Sequence, residues 1–146
     1  MPTARKKQRP ARKTKARPKR SRPETLRARS VTPSFTVNDL QRSIGWYEGV
    51  LGFTIADRWE MGVELKAGTT LLMINQDDWS KGRDRQKGVG MRIYLSTAQD
   101  LDRLASDITA RGGVLTQPPT MQSWGSKTLD LTDPDGFRLT FVQSRR

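Results

Sequence analysis

Residues 37–53 read VNDLQRSIGWYEGVLGF, and residues 97–113 read TAQDLDRLASDITARGG. Each has the pattern of an amphipathic helix closed by glycine. In the first, Leu40, Ile44, Tyr47 and Leu51 follow at steps of 4, 3 and 4, which places them on one apolar stripe. Asn38 caps this helix with Gln41 three residues later, as in a capping box, and Gly52 ends it. In the second, Leu101, Leu104 and Ile108 share a face, Thr97 caps, Asp100 sits at the third position, and Gly112-Gly113 ends the helix. Asp39 to Gly52 and Asp100 to Gly113 each span 13 residues, so the chain repeats itself.

Working outward, each helix sits in the same run of strands. VTPSFTV (31–37) alternates as a strand before the first helix. FTIADRWE, GVELKA and TLLMIN follow it, with turns at Glu60-Met61 and Gly68-Thr69. VGMRIYL (89–95) precedes the second helix, and GVLTQ, SKTLDLT and FRLTFVQ follow, with a hairpin turn at Asp133-Pro134-Asp135-Gly136. The expected fold is therefore α+β, two tandem βαβββ modules over about residues 31–75 and 89–143, joined by a connector at 76–88. In that connector, Asp77-Asp78 and Arg83-Asp84-Arg85 read as a solvated loop.

Charge divides the chain of 146 residues in two. Residues 1–29 hold 13 Lys and Arg against Glu24, and the other 117 residues hold 14 of each sign, so the tail carries the whole net charge of +12. Pro2, Pro10, Pro18 and Pro23 and the lack of large apolar residues predict a disordered tail, with the folded domain at 30–146. Arg5, Lys6, Lys7, Arg9, Arg12, Lys13, Lys15, Arg17, Lys19 and Arg20 are its candidate contacts to nucleic-acid phosphate or another polyanion. The alternative is a solubilising extension. No apolar run reaches membrane-spanning length, and no apolar segment follows the basic start, so membrane insertion and a secretory signal are not expected.

The chain has no Cys and no His. That removes disulfides and fits a reducing, cytoplasmic setting. It also removes thiolate and imidazole metal ligands and His-dependent nucleophiles. Any metal would need oxygen ligands, as magnesium, calcium or manganese accept. Asp130, Asp133 and Asp135 lack the length and closing Glu of a calcium loop and read better as carboxylates bonding their own turn.

Residues 37–53 resemble the V-x-D-L-x-x-S-x-x-F/W-Y-x-x-x-L-G-F opening of the vicinal oxygen chelate superfamily, which includes glyoxalases, fosfomycin-resistance enzymes, extradiol dioxygenases and bleomycin-resistance proteins. Trp124 to Phe141, with W-G and L-x-D-P-D-G-x-x-L-x-F, resembles its closing motif, the bleomycin-resistance branch most. The likeness covers residues 31–143. It implies a cup-shaped mixed sheet with helices outside and ligand inside, in a homodimer. Its metal enzymes carry two His and one Glu at positions that, counted from the helix-start aspartates and the DPDG turn, fall on Thr32, Met91 and Thr140. Threonine hydroxyls and a thioether do not make a hard-metal site.

The resemblance and the strand period together name candidate ligand-binding residues: Thr32, Ser34, Trp59, Met91, Trp124, Arg138 and Thr140. Thr and Ser also suit strands for their own sake, and Trp59 and Trp124 could simply pack. The expectation is metal-free binding of a small organic molecule, aromatic or cationic, by sequestration, with no cofactor and no catalytic residue. Nucleic-acid association through the tail is the alternative. A magnesium- or manganese-dependent lyase or isomerase is the third reading.

Overall fold

The computed structural model describes residues 26–144. The tail cations from Arg5 to Arg20 lie outside the described residues. A compact unit begins at Val31. Its elements run β1 (Ser34–Val37), α1 (Leu40–Gly49), β2 (Thr54–Trp59), β3 (Gly62–Ala67), β4 (Thr70–Gln76), β5 (Arg92–Thr97), α2 (Leu101–Ala110), β6 (Leu115–Met121), β7 (Lys127–Thr132) and β8 (Arg138–Gln143). They form two four-stranded mixed sheets of identical topology, β1-β4-β3-β2 and β5-β8-β7-β6. In each, the first strand runs parallel to the last and the other pairs are antiparallel. This is the expected α+β duplication of a βαβββ module.

Both helices bury the stripe their spacing predicts, with Ile44 and Tyr47 on α1 and Leu101 and Ile108 on α2. The caps differ from expectation. Asp39, one residue beyond Asn38, accepts the Arg42 amide at 3.0 Å, and Asp100 takes the cap in place of Thr97, which ends β5. A carboxylate is a stronger acceptor at a helix start than the amide or hydroxyl it displaces. A second acceptor completes each cap in the same way: Gln76 Oε1 accepts the Leu40 amide at 3.0 Å, and Gln143 Oε1 accepts that of Leu101 at 3.2 Å.

Strand ends also move. β5 starts and finishes later than the expected 89–95, and β6 continues through Pro118 and Pro119. Those prolines are tolerated because β6 is the sheet's edge and its register with β7 already shifts there.

One core joins the two modules. Phe35 of β1 stacks on Phe137 before β8, with centroids 4.0 Å apart. The Tyr47 hydroxyl donates to Asp133 Oδ2 at 2.9 Å, in the buried interior. Asp133 Oδ1 meanwhile accepts the Asp135 and Phe137 amides, each at 2.9 Å, as the turn reading requires. Asp135 reaches back to α1, accepting from the Asn38 amide at 2.9 Å and the Ser43 hydroxyl at 3.2 Å. Burial first, then the Asp133 charge, drives the Tyr47 phenol far above its ordinary range, so it stays a donor. Gly88 presses on the same turn, where a Cβ would stand 2.2 Å from Gly136 O.

The connector is not the solvated loop expected for Asp77. Asp77 is buried, paired with Lys87 at 2.6 Å and Arg85 at 2.8 Å, while Lys87 also donates to Asn38 Oδ1. Trp79, at φ 61°, donates its amide to Asp77 Oδ1 at 2.9 Å and lays its ring beneath Arg83 and Lys87. A left-handed tryptophan costs about 1–2 kcal/mol, which the amide bond and two cation–π contacts offset. Asp78 and Asp84 are exposed as expected. Among the described residues, no helix is long and apolar enough to cross a membrane.

Two stability predictions follow from these contacts. Tyr47→Phe removes the hydroxyl donor to a buried carboxylate and should lower unfolding free energy by about 1.5–3 kcal/mol in urea titration. Asp77 is held below the usual carboxylate range chiefly by the Lys87 ammonium, then by the Trp79 amide. A depressed folded value stabilises above the unfolded value and loses that contribution as pH falls towards the folded one. Asp77→Asn should therefore melt several degrees lower than the parent at about pH 7, with the gap closing as pH falls below about 4.

Candidate functional site

The register of the two sheets shows which side chains share the faces away from the helices. Val37 O accepts the Asp77 amide, and Thr97 O accepts the Ser144 amide, at 2.9 and 2.8 Å. Val37 thus corresponds to Thr97, an offset of 60, whereas the helix starts Leu40 and Leu101 are 61 apart. The second module has one extra residue between strand and helix. Counting back from Asp100 therefore lands one residue short, and the repeat equivalent of Thr32 is Arg92, not Met91. Met91 precedes β5, half exposed, in the alternation of Ile93 and Leu95, which pack on the core. By the same correspondence Ser34 matches Tyr94, Met73 matches Thr140, and Glu64 matches Asp130.

On the first sheet, Trp59, Gly62, Asn75 and Thr36 lie side by side across four strands. The Trp59 indole N–H donates to Asn75 Oδ1, and Asn75 Nδ2 donates to Ser34 Oγ, both at 2.9 Å. Trp59 lies over a residue that must be glycine, since a Cβ on Gly62 would stand 2.5 Å from the indole nitrogen and 2.4 Å from Asn75 Oδ1. The indole is thus fixed in position yet 40% exposed. This is an aromatic platform held by hydrogen bonds, with Ser34 at its far end. Asn75 and Gly62, which build it, were missed by sequence reasoning; a glycine between two strand residues was the available signal.

On the second sheet, Tyr94, Thr140 and Asp130 form one row and Arg92, Arg138 and Thr132 the next. Tyr94 is 62% exposed, whereas Thr140 is only 3% exposed. Arg92 Nη1 stands 3.4 Å from Asp130 Oδ2. Thr140 Oγ1 and Asp130 Oδ1 are buried and make no hydrogen bond among the described residues. The Arg138 guanidinium is exposed and has no ion-pair or hydrogen-bond partner among the described residues. Arg92, Tyr94 and Asp130 were also missed; the period of β5 would have shown the first two had its register been set from β8.

Of the sequence candidates, Arg138 and Thr140 share this second face, and Ser34 and Trp59 share the first. Thr32 lies just before β1, half-buried. Trp124 sits at the tip of the β6–β7 hairpin, 65% exposed.

The donor set does not fit the divalent metal of the resembling enzymes. Its positions hold Thr32, Arg92 and Thr140, and a guanidinium repels a cation. Among the described residues, no three His, Cys, Asp or Glu side chains converge.

Comparison with known proteins agrees with this architecture. A crystal structure of a glyoxalase/bleomycin resistance protein/dioxygenase superfamily member from Sphaerobacter thermophilus is 27% identical, with a TM-score of 0.64 over 79% of this chain and 96% of that one. A protein of unknown function from Agrobacterium tumefaciens is 26% identical, with a TM-score of 0.67 over 83% and 98%. A glyoxalase/bleomycin resistance protein/dioxygenase from Nocardioides, at 16% identity, shares the fold with a TM-score of 0.66 over 81% and 85%. No curated protein sequence matches the chain. The family description "Glyoxalase/Bleomycin resistance protein/Dioxygenase superfamily" matches residues 29–141, and the chain belongs to that superfamily.

Proposed function

We propose that the domain binds a small organic molecule on its open sheet faces and holds it without metal chemistry. The observation that carries this reading is the replacement of a metal-binding set by Thr32, Arg92 and Thr140. Beside it stand a fixed indole and two buried polar atoms, Asp130 Oδ1 and Thr140 Oγ1, without a hydrogen-bond partner among the described residues. A face with an aromatic wall and a few placed polar groups suits ligand capture. Among the described residues, no hydrogen bond on either face joins a nucleophile to a base, so sequestration accounts for these residues better than turnover. The edge strands β1 and β5 do not pair with each other. In our reading a second copy of the chain brings a further sheet face to each, making a homodimer with shared cups.

A thermal-shift screen of the full chain tests this reading, using small aromatic and polar organics and divalent metals, each with and without chelator. An organic hit at about 100 times its dissociation constant should add roughly 2.7 kcal/mol, and chelator should leave that shift unchanged. Stabilisation by a divalent metal alone would sink the metal-free reading.

The charge of the N-terminal segment favours a second reading. Thirteen Lys and Arg within residues 1–29 would contact nucleic-acid phosphates without base readout. Deleting residues 1–29 should abolish a mobility shift with duplex DNA at about 150 mM salt. Equal binding by both forms, or binding by neither, would rule it out.

A further inference from the structure

On the proposed reading of these faces as a binding site, we infer that the second sheet recognises one ligand class: a small aromatic carboxylate bearing a hydroxyl. The charges on this face select an anion. Arg92 and Arg138 are direct neighbours across the parallel β5–β8 pair. Like charges at paired positions of neighbouring strands repel each other, and a sheet gains nothing by placing them there. Among the described residues Asp130 meets Arg92 alone, at a long 3.4 Å, and Arg138 has no ion-pair partner. Two cations against one carboxylate give this patch a net charge of +1, which matches a monoanion.

Arginine is suited to that task, since its planar fork grips both oxygens of a carboxylate. A cationic ligand would face two guanidinium groups.

The hydroxyl requirement comes from the neighbouring row. Asp130 Oδ1 and Thr140 Oγ1 are buried atoms of cross-strand neighbours, without a partner among the described residues. An unsatisfied buried polar atom costs about 1–3 kcal/mol, so a pair of them calls for a hydrogen-bonding group at that point. The Asp130 oxygen can only accept, so the ligand must donate there. Successive residues on one face of a strand lie about 7 Å apart, and Arg138 and Thr140 are such a pair. A carboxylate on Arg138 and a hydroxyl over Thr140 and Asp130 therefore fit one small molecule. The exposed Tyr94, in the same row, offers a ring for the ligand to stack on.

The test uses isotope-labelled full-length protein and four probes: mandelate, phenylacetate (the same acid without the hydroxyl), mandelamide (neutral) and benzylammonium (a cation), each to about 10 mM. Mandelate should perturb the resonances of Arg92, Tyr94, Asp130, Arg138 and Thr140, and should bind more tightly than the other three. Arg138→Gln, at an exposed position with no ion-pair partner among the described residues, should leave the fold intact and weaken mandelate about tenfold. Asp130→Asn should abolish the preference for mandelate over phenylacetate. If mandelamide or benzylammonium bound this face as well as mandelate, the carboxylate assignment would fall while the binding reading stood. If no probe perturbed this face, the assignment would fall as well, and the thermal-shift screen would decide the broader reading separately.

Discussion

The Asp133 carboxylate organises the chain. With one oxygen it closes its own turn, and with the other it takes the Tyr47 hydroxyl from the first module. Burial pushes this carboxyl upward, while the Phe137 amide and the Tyr47 hydroxyl pull the other way. A carboxylate at this depth is tolerable because three donors, the Tyr47 hydroxyl and the Asp135 and Phe137 amides, meet its two oxygens. Asp135, two residues on, holds the start of α1. One four-residue turn therefore fixes the second module's last hairpin, the first module's helix and the angle between them. The Phe35–Phe137 stack and the Gly88–Gly136 contact gather around it. Both sheet faces take their positions from this joint.

The connector makes a second joint of a different kind. Asp77 leaves β4 straight into the interior and is neutralised by cations that arrive eight and ten residues later. Lys87 also ties this group to Asn38 at the start of α1. Removing either partner would strand a buried charge, so the segment is anchored by charge pairing in place of a hydrogen-bond ladder.

Much of this was legible in the sequence, for stated reasons. The α1 and α2 stripes are strong periodic signals, and glycine and the DPDG run mark chain reversals. The family motifs carried the topology. What stayed hidden depended on partners remote in sequence. Nothing local says that Asp77 is buried, because Lys87 is what permits it. Asn38 looked like a cap because the spacing to Gln41 is right; only the fold shows Asp39 taking that role and Asn38 turned towards Lys87. The Met91 assignment failed from a single added residue. A strand's faces alternate with period two, so an error of one in counting exchanges every inward residue for an outward one. The correct register is written in β8, through Arg92–Arg138 and Tyr94–Thr140, and not in the residues around Met91.

The duplication also separates architecture from chemistry. The positions that bear load match between modules: Gln76 and Gln143 cap equivalent helices, and the strand-end carbonyls of Val37 and Thr97 are bonded alike. The face positions do not match. Gly62 and Asn75, which seat Trp59, correspond to Thr128 and Val142, which could not. Met73 and Ser34 correspond to Thr140 and Tyr94, and Arg92 stands opposite Thr32. Strand topology is held constant while one face carries an aromatic platform and the other a pair of arginines beside unsatisfied oxygens. Core positions differ too, with Phe35 and Ile74 matching Leu95 and Phe141, but there one apolar residue replaces another; on the faces the change is one of charge and hydrogen bonding, which packing does not require.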